Sequence, residues 1–173
     1  VLKARPIEEG NQASFAPAPL EEVIAEIKSF KPDVVFAPHV ETSAGMILPD
    51  SYIRAVSDAV HSIGGLFVLD CIASGTIWVD MKKCGVDVLI SAPQKGWSAS
   101  PCCALVMLSP EGKEKLSSTT STSFSCDLKK WHQIMEAYEK GGHAYHATMP
   151  TDSLKTFRNA MNEEDHYGLE KVK

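Results

Sequence analysis

The chain has 173 residues, a formal net charge of −5, 44% hydrophobic residues and 23% charged residues. This length suits one α/β domain with a sizeable core, and the composition is that of an ordinary globular protein. The negative charge gives no reason to expect nucleic acid or an anionic membrane surface as a partner. No apolar run in the sequence approaches the roughly 20 residues that a membrane-spanning helix needs.

The cysteines indicate a compartment. There are five, an odd number, without any CxxC pair, and Cys102 and Cys103 are adjacent at an apolar run. This usage is typical of reduced thiols that pack as small hydrophobic side chains, so we expect a reducing compartment. The cytoplasm is the first expectation, and a peroxisome or another organelle is the alternative. No signal peptide is visible at Val1, and the chain opens without an initiator Met, as an internal fragment would.

Hydrophobic periodicity and turn signals predict alternating helices and strands. The first half reads as a strand end at 1–4, a loop at 5–19, a helix at 20–30, a short buried strand at 34–37, a polar loop at 38–45 and a helix at 50–63. The second half reads as buried strands at 66–69 and 86–90 with a helical stretch at 78–83 between them, a strand at 103–108, and helices at 109–117, 128–140 and 151–162.

This order predicts an α/β domain, a three-layer αβα sandwich around a mostly parallel sheet. The strand at 103–108 follows the strand at 86–90 after a loop too short for a helical crossover. We therefore expect that one strand to run antiparallel.

Two charged residues follow the central strands. Asp70 ends the strand at 66–69, and Lys95 comes shortly after the strand at 86–90. Open α/β sheets bind ligands outside the carboxyl ends of their strands, so the acid and the lysine are expected to share a pocket. Pyridoxal phosphate enzymes use a lysine to hold the cofactor covalently and a carboxylate to keep its pyridine nitrogen protonated. The alternative is an acid that caps a turn and a lysine that is merely solvated.

Four short segments carry a resemblance to a known family. They are HVETSAG at 39–45, VLDCIAS at 68–74, GVDVLISAPQKGW at 85–97 and AYHATMP at 144–150. In this order and spacing they resemble the class V aminotransferases, which are pyridoxal phosphate enzymes of fold type I. The likeness covers nearly all of the chain and is greatest to the alanine–glyoxylate and serine–pyruvate aminotransferase branch. It implies the fold of that family's large domain and pyridoxal 5'-phosphate as cofactor.

The resemblance also implies roles for individual residues. Lys95 matches the lysine that binds the cofactor and acts as general base, and Asp70 matches the partner of the pyridine nitrogen. Ile72 matches an apolar residue on the face of the ring, for which core packing is the alternative. Thr42 matches a hydroxyl residue near the ring and substrate, with capping of the next helix as the alternative. Gln94 matches a glutamine that fixes the cofactor; because glutamine cannot titrate, it favours transamination over the lyase branches, which tend to carry His there.

A second set of matches concerns quaternary structure. Tyr145 and Thr148 match residues that reach across a homodimer interface to the neighbouring subunit's cofactor phosphate, and an ordinary polar loop is the alternative. The resemblance thus implies a homodimer acting on a small amino acid and a 2-oxo acid. His143 and His146 form an HxxH pattern without a third ligand, so we expect no metal site.

Some parts of the family pattern do not occur in this sequence. A glycine-rich segment that cups the phosphate is expected before Val1, and a small domain with a carboxylate-binding arginine after Lys173. Residues 1–173 therefore read as a single domain, the central part of a large domain. The resemblance implies transfer of an amino group from alanine or serine to glyoxylate or pyruvate. Three alternatives remain open: a lyase or desulfurase that uses Cys102 or Cys103, a nucleotide-binding domain, for which no phosphate-loop motif occurs, and a non-catalytic fragment.

Overall fold

The computed structural model of the chain describes residues 1–10 and 12–172, which form an α/β fold. The strands of these residues are β1 (Arg5–Pro6), β2 (Phe15–Ala16), β3 (Val34–Pro38), β4 (Val40–Glu41), β5 (Met46–Ile47), β6 (Leu66–Asp70), β7 (Val88–Ser91) and β8 (Leu105–Leu108). The α-helices are α1 (Leu20–Phe30), α2 (Asp50–His61), α3 (Met81–Cys84), α4 (Pro110–Ser118), α5 (Leu128–Glu139) and α6 (Thr151–Tyr167), and a 3-10 helix follows at Leu169–Lys171. No helix within the described ranges is long and apolar enough to cross a membrane.

The central sheet has the strand order β3-β6-β7-β8. β3, β6 and β7 run parallel, and β8 pairs with β7 in the antiparallel direction. The prediction of a mostly parallel sheet with one antiparallel strand is therefore confirmed. A helix lies in each parallel connection, α2 between β3 and β6 and α3 between β6 and β7, as in βαβ units. The remaining strands form two small antiparallel pairs, β1 with β2 and β4 with β5.

The core lies between β6 and the helices α1 and α2. Alternation along β6 turns Phe67 and Leu69 to this side, and both are 0% exposed. Val56 and Val60 lie on one face of α2 at helical spacing and are buried against them. Val68 points to the opposite face of the sheet and is only 5% exposed. Both faces of β6 are therefore covered, as a three-layer sandwich requires.

A buried carboxylate fastens the amino end of β7 to its neighbours. Asp87 is 2% exposed and accepts a hydrogen bond from the backbone N–H of Phe67 at 2.7 Å. It also accepts from His61 Nε2 at 2.8 Å and from the Ser109 hydroxyl at 3.3 Å. These donors come from the start of β6, the end of α2 and the N-cap of α4. We call these four residues the Asp87 network; its hydrogen bonds offset the cost of burying the charge.

Several element boundaries differ from the sequence-based expectation. Residues 1–4 do not form a strand, and β1 lies inside the expected loop at 5–19. The expected polar loop at 38–45 contains β4, which pairs with β5. The helical stretch expected at 78–83 is shortened to α3, because the Asp80 side chain caps the helix by accepting from Lys83 N–H. The last helix, α6, continues to Tyr167 and is longer than predicted.

The expected burial of the strand at 34–37 is wrong. β3 lies at the edge of the central sheet among the described strands, and Val34 and Phe36 are 41% and 71% exposed. A cavity of about 680 Å³ runs along this edge, lined mainly by apolar side chains such as Ile27 and Leu48. The β-branched run identifies a strand, but it does not identify the strand's neighbours, which decide burial.

Candidate active site

The carboxyl ends of the three parallel strands lie side by side. Pro38 is paired with Asp70, and Asp70 with Ile90, so β3, β6 and β7 end at the same edge of the sheet. Ligands of open parallel sheets bind outside this edge. Four of the residues indicated by the sequence lie in the segments that follow it: Thr42 after β3, Ile72 after β6, and Gln94 and Lys95 after β7.

Asp70 stands half-buried at the end of β6. Its Oδ1 accepts a hydrogen bond from the N–H of the half-buried Ile72 at 2.9 Å. The acid therefore does cap its own turn, as one alternative had it. The bond from Ile72 holds the carboxylate in place. No donor in the described part of the chain contacts its second oxygen, Oδ2, which therefore remains available as an acceptor for a ligand.

Lys95 lies in a tight turn after β7, residues 92–99, which we call the β7 turn. Backbone hydrogen bonds close it, from Ser98 N–H to the Lys95 carbonyl at 3.1 Å and from Ala99 N–H to the Pro93 carbonyl at 3.0 Å. The Lys95 side chain is exposed, and its ammonium group makes no hydrogen bond or ion pair with the described residues. The turn thus presents an amine without a protein partner from a well-tethered backbone.

Two glycines bring the turn after β6 (residues 71–77, the β6 turn) into backbone contact with the β7 turn. A Cβ added to Gly96 would lie 1.7 Å from the carbonyl oxygen of Gly75. Only glycine permits this approach, and Gly75 itself has a φ of 61°. The two turns therefore pack main chain against main chain, which fixes the position of the lysine relative to the acid.

A buried histidine joins the β6 turn to the end of β3. His39 and Ser74 are 2% and 6% exposed, and His39 Nδ1 and Ser74 Oγ share a hydrogen bond of 2.7 Å. The His39 backbone N–H donates to the Asp70 carbonyl at 2.8 Å, and its carbonyl accepts from Leu48 N–H at 2.8 Å. Burial lowers the pKa of His39, against an opposing effect from the charge of Asp50, and so favours the neutral ring.

Thr42 and Gln94 are both exposed. Thr42 lies between β4 and β5, next to Glu41, whose carboxylate accepts from the N–H and hydroxyl of Ser43. α2 begins after Pro49 without a side-chain cap, so the alternative in which Thr42 caps that helix is wrong. Gln94 lies in the β7 turn immediately before Lys95, so the backbone contacts that position the lysine also position Gln94.

Tyr145 and Thr148 lie in a separate loop between α5 and α6. Their hydroxyl oxygens are 3.2 Å apart, and Tyr145 is 74% exposed. The loop is anchored by His146, whose Nε2 donates to the Phe124 carbonyl at 2.8 Å and whose ring lies 4.9 Å from that of Trp131. Within the described residues these contacts involve neither the β6 turn nor the β7 turn. Among all residues that the structure describes, no group of three or more His, Cys, Asp or Glu side chains is placed to hold a metal ion.

Two tryptophans lie at the β6 and β7 turns. Trp78, just past the β6 turn, and Trp97, in the β7 turn, have ring centroids 4.7 Å apart. Trp97 Nε1 donates to the Ser91 hydroxyl at 3.2 Å, and its ring lies 6.0 Å from that of the buried Phe157 in α6. Trp78 Nε1 donates to the carbonyl of Leu169 at 3.3 Å. The last helix is thereby fastened to the two turns by aromatic contacts.

The cysteines are free thiols. Cys102 and Cys103 are half-buried before β8 with their sulfur atoms 3.8 Å apart. Burial raises the pKa of Cys103, and that of the buried Cys71, to about 11. These two thiols are protonated at neutral pH and are therefore poor nucleophiles.

No protein-family model matches the chain. Among curated proteins, the 2-aminoethylphosphonate–pyruvate transaminase of Syntrophobacter fumaroxidans is 32% identical over 131 residues, which cover 75% of this chain and 33% of that protein. The alanine–glyoxylate aminotransferase of Callithrix jacchus is 30% identical over 154 residues, which cover 87% and 36%. Among solved structures, the ureidoglycine–glyoxylate aminotransferase of Bacillus subtilis matches with a TM-score of 0.73 at 26% identity, covering 91% of this chain and 40% of that one. The alanine–glyoxylate aminotransferase of Nostoc sp. matches with a TM-score of 0.79 at 24% identity, covering 90% and 40%.

The chain is a relative of the class V aminotransferases. Its α/β fold is the one these fold type I enzymes share, including a pyridoxamine–pyruvate aminotransferase of Mesorhizobium loti that matches with a TM-score of 0.74 at 19% identity. The chain spans between 33% and 41% of the length of the curated aminotransferases it matches. The comparisons therefore concern one part of such an enzyme.

The residues at the carboxyl edge fit pyridoxal 5'-phosphate, the cofactor expected for a relative of the class V aminotransferases. Asp70 offers a fixed carboxylate with an oxygen that no described residue contacts, as a protonated ring nitrogen requires. Lys95 offers an amine without a protein partner on the neighbouring turn. Ile72, half-buried between strand end and turn, offers an apolar surface. An acid, an amine and an apolar contact thus lie along one strand edge, which are the groups that the ring of this cofactor needs.

Three residues that shape this edge were missed by the sequence reasoning. Ser74, Gly75 and Gly96 lie within or next to the segments that resemble class V aminotransferases, yet none was singled out. The contacts that give them meaning, Ser74 with His39 and Gly75 with Gly96, join residues far apart in the chain. The available signal was a glycine in each of the turns that follow β6 and β7, since a glycine at a strand end often marks a close backbone approach.

Proposed function

We propose that the protein to which this chain belongs is a pyridoxal phosphate-dependent aminotransferase. It moves an amino group from a small amino acid, such as alanine or serine, to a 2-oxo acid, such as glyoxylate or pyruvate. The names of the relatives support this choice, because they include alanine and aspartate as donors and glyoxylate and pyruvate as acceptors.

One observation carries the proposal. Asp70, the last residue of β6, is paired with Ile90 of β7, and Gly96 packs against Gly75. The acid at the end of β6 and Lys95 in the β7 turn therefore lie at one edge of the sheet. A solvated lysine and an unrelated strand-end acid would not need the two turns to be in backbone contact. The arrangement supports a shared ligand that both groups contact.

The roles follow from the chemistry of each side chain. When bound, pyridoxal phosphate accepts the electron pair that is left when the α-proton of the amino acid is removed. Lys95 Nζ would hold the cofactor covalently and, once released by the substrate, would take that α-proton and return it at the other end of the transfer. The Asp70 carboxylate would keep the ring nitrogen protonated, because an opposite charge favours the charged form.

The other residues of the edge would position the ring. Ile72 would pack against its face, and Gln94 would fix it from the same turn as the lysine. Thr42, exposed in the turn between β4 and β5, would place a hydroxyl near the ring and the substrate. Because Gln94 cannot exchange a proton, Lys95 remains the base at this edge, which suits proton transfer without release of a leaving group.

The chain would be the central part of a large domain. A segment that cups the cofactor phosphate and a small domain with a carboxylate-binding arginine would lie elsewhere in the protein. The fraction of each relative that the chain spans, 33% to 41%, supports this division. We place the protein in the cytoplasm, with a peroxisome or another organelle as the alternative, because free thiols such as the exposed Cys126 persist in reducing compartments.

A second copy of the chain would complete the site. Tyr145 and Thr148 form a hydroxyl pair with an exposed tyrosine, and His146 holds their loop against α5. Two adjacent hydroxyls on an exposed loop that His146 anchors suit donation to a phosphate. The loop makes no described contact with the β6 turn or the β7 turn of the same chain. The phosphate to which it donates would therefore be that of the cofactor in the neighbouring subunit of a homodimer.

The alternative reaction, a lyase or desulfurase of the same fold, has less support. A cysteine desulfurase of Thermococcus onnurineus matches with a TM-score of 0.61 at 16% identity, a likeness that extends to the fold alone. Such a reaction needs a mobile thiolate, whereas Cys103 is half-buried with a pKa of about 11.

The proposal is tested by locating the cofactor. The natural full-length protein is incubated with pyridoxal phosphate, reduced with borohydride, digested and mapped by mass spectrometry. We expect the label on Lys95 and its loss in Lys95→Arg. Lys83→Arg, which changes an exposed lysine on α3, serves as the control and should keep the label. Label on a different lysine, or none at all, refutes the proposal.

A further inference from the structure

The contact between His39 and Ser74 has no part in the roles assigned above. Both side chains are almost fully buried, and their hydrogen bond of 2.7 Å spans the gap between the end of β3 and the β6 turn. Breaking this bond would leave two buried polar groups without a partner, which costs free energy. The folded state therefore favours the conformation in which the bond is made. It ties the β6 turn to the end of β3, because the turn lies beyond the last ladder pair, Pro38 with Asp70.

A continuous path of short contacts leads from this bond to the lysine. Ser74 is followed by Gly75, whose carbonyl abuts Gly96, and Gly96 follows Lys95 in the chain. A shift of the β6 turn therefore displaces the β7 turn, since main chain packed against main chain has no side chain to absorb the movement. On the other side, the His39 backbone donates to the carbonyl of Asp70.

We propose that His39 and Ser74 are positioning residues that set the placement of Asp70 relative to Lys95. Both would act through the backbone rather than by contact with the cofactor: the hydrogen bond fixes the β6 turn, and the β6 turn fixes the lysine. This inference rests on the proposed function, because it assigns a purpose to the pair only if the acid and the lysine share a ligand.

The bond sets direction as well as distance. A pair of apolar side chains of similar volume would fill the same space, but dispersion contacts are non-directional and permit sliding. A hydrogen bond weakens steeply as its angle departs from linearity and so defines the orientation of the turn. Groups that act on one ligand lose roughly 10²-fold in rate when misplaced by about 1 Å, so a small relaxation of the turn is measurable.

The test uses three variants of the natural full-length protein loaded with pyridoxal phosphate. Ser74→Ala and His39→Leu remove the hydrogen bond, and His39→Asn keeps a polar atom near the position of Nδ1. The readouts are the induced circular dichroism of the bound cofactor, which reports its orientation, the cofactor dissociation constant, and kcat and KM measured separately. His61→Ala is the matched control, since it removes a histidine–side-chain bond at the opposite end of the sheet.

Ser74→Ala and His39→Leu are expected to change the induced circular dichroism and to lower kcat by roughly 10-fold or more, with a smaller change in KM. His39→Asn should recover most of both signals, and His61→Ala should lower stability while leaving both unchanged. If His39→Leu does not fold, Ser74→Ala decides alone. Wild-type circular dichroism and kcat in Ser74→Ala overturn the positioning role, while a wild-type protein that binds no pyridoxal phosphate overturns the proposed function and this inference with it.

Discussion

Removal of the Asp87 carboxylate is expected to destabilise the protein far more than removal of a surface acid. Asp87→Ala leaves the N–H of Phe67 buried without a partner, at roughly 1–3 kcal/mol, and deletes a charge-assisted bond to that donor. It also deletes the bonds from His61 and Ser109, of which the first contributes less because the His61 side chain is 41% exposed. The total cost is about 2–4 kcal/mol, because Asp87→Ala leaves polar groups unpaired but leaves no buried charge.

The free energy of unfolding is measured by urea titration of the natural full-length protein at 25 °C. With a slope of about 2–3 kcal/mol per molar urea, Asp87→Ala should lower the midpoint by roughly 1–2 M. Asp87→Asn, which keeps one acceptor oxygen, should lie between the wild type and Asp87→Ala. The control is Asp58→Ala, which removes an acid from an exposed pair with Arg54 whose side chains are 51% and 56% exposed, and it should cost less than about 1 kcal/mol. Equal midpoints for Asp87→Ala and Asp58→Ala would refute the reasoning.

Three further predictions concern the site. Asp70→Asn keeps the size of the side chain but removes its charge, so single-turnover transamination should slow by roughly 10²-fold, about 3 kcal/mol, with the cofactor still trapped on Lys95; an unchanged rate contradicts the assigned role. Gly96→Ala places a methyl group against the Gly75 carbonyl, so the turns must separate and the cofactor dissociation constant should rise by at least about 10-fold; wild-type affinity would mean that the contact does not set the site. A mixture of Lys95→Ala and Tyr145→Phe variants should regain activity over either alone through hybrid dimers, and no recovery after verified subunit exchange counts against shared sites.

Most of the helices and strands predicted from local patterns are confirmed by the structure. α1 begins and ends where its apolar spacing indicates, at Leu20 and Phe30, and β6 ends on Asp70. The antiparallel direction of β8 follows from the shortness of the preceding connection alone. Such features depend on residues close together in the chain, whose periodicity is visible in the sequence.

The features that escaped prediction depend on residues far apart in the chain. Asp87 lies beside an apolar strand in the sequence, which gives no sign of its hydrogen-bond partners. His61 and Ser109 come within hydrogen-bonding distance of it only when the chain folds. The bond between His39 and Ser74 likewise leaves no periodic trace. The exposure of β3 depends on which strands flank it, and no pattern within the strand encodes that. The location of the candidate site, at the carboxyl ends of the strands, could be predicted from the sequence. The contacts that set its geometry, such as those of Ser74 with His39 and of Gly75 with Gly96, could not.

The pairing of Trp78 with Trp97 gives the protein a built-in optical probe. Two of its three tryptophans, Trp78 just past the β6 turn and Trp97 in the β7 turn, have ring centroids 4.7 Å apart. Their indole emission depends on the spacing of those turns, so intrinsic fluorescence follows the opening of one turn against the other without any label. Because Trp97 also lies against Phe157, the same signal reports whether α6 is docked. The emission of these two tryptophans therefore reports how the candidate site packs against α6.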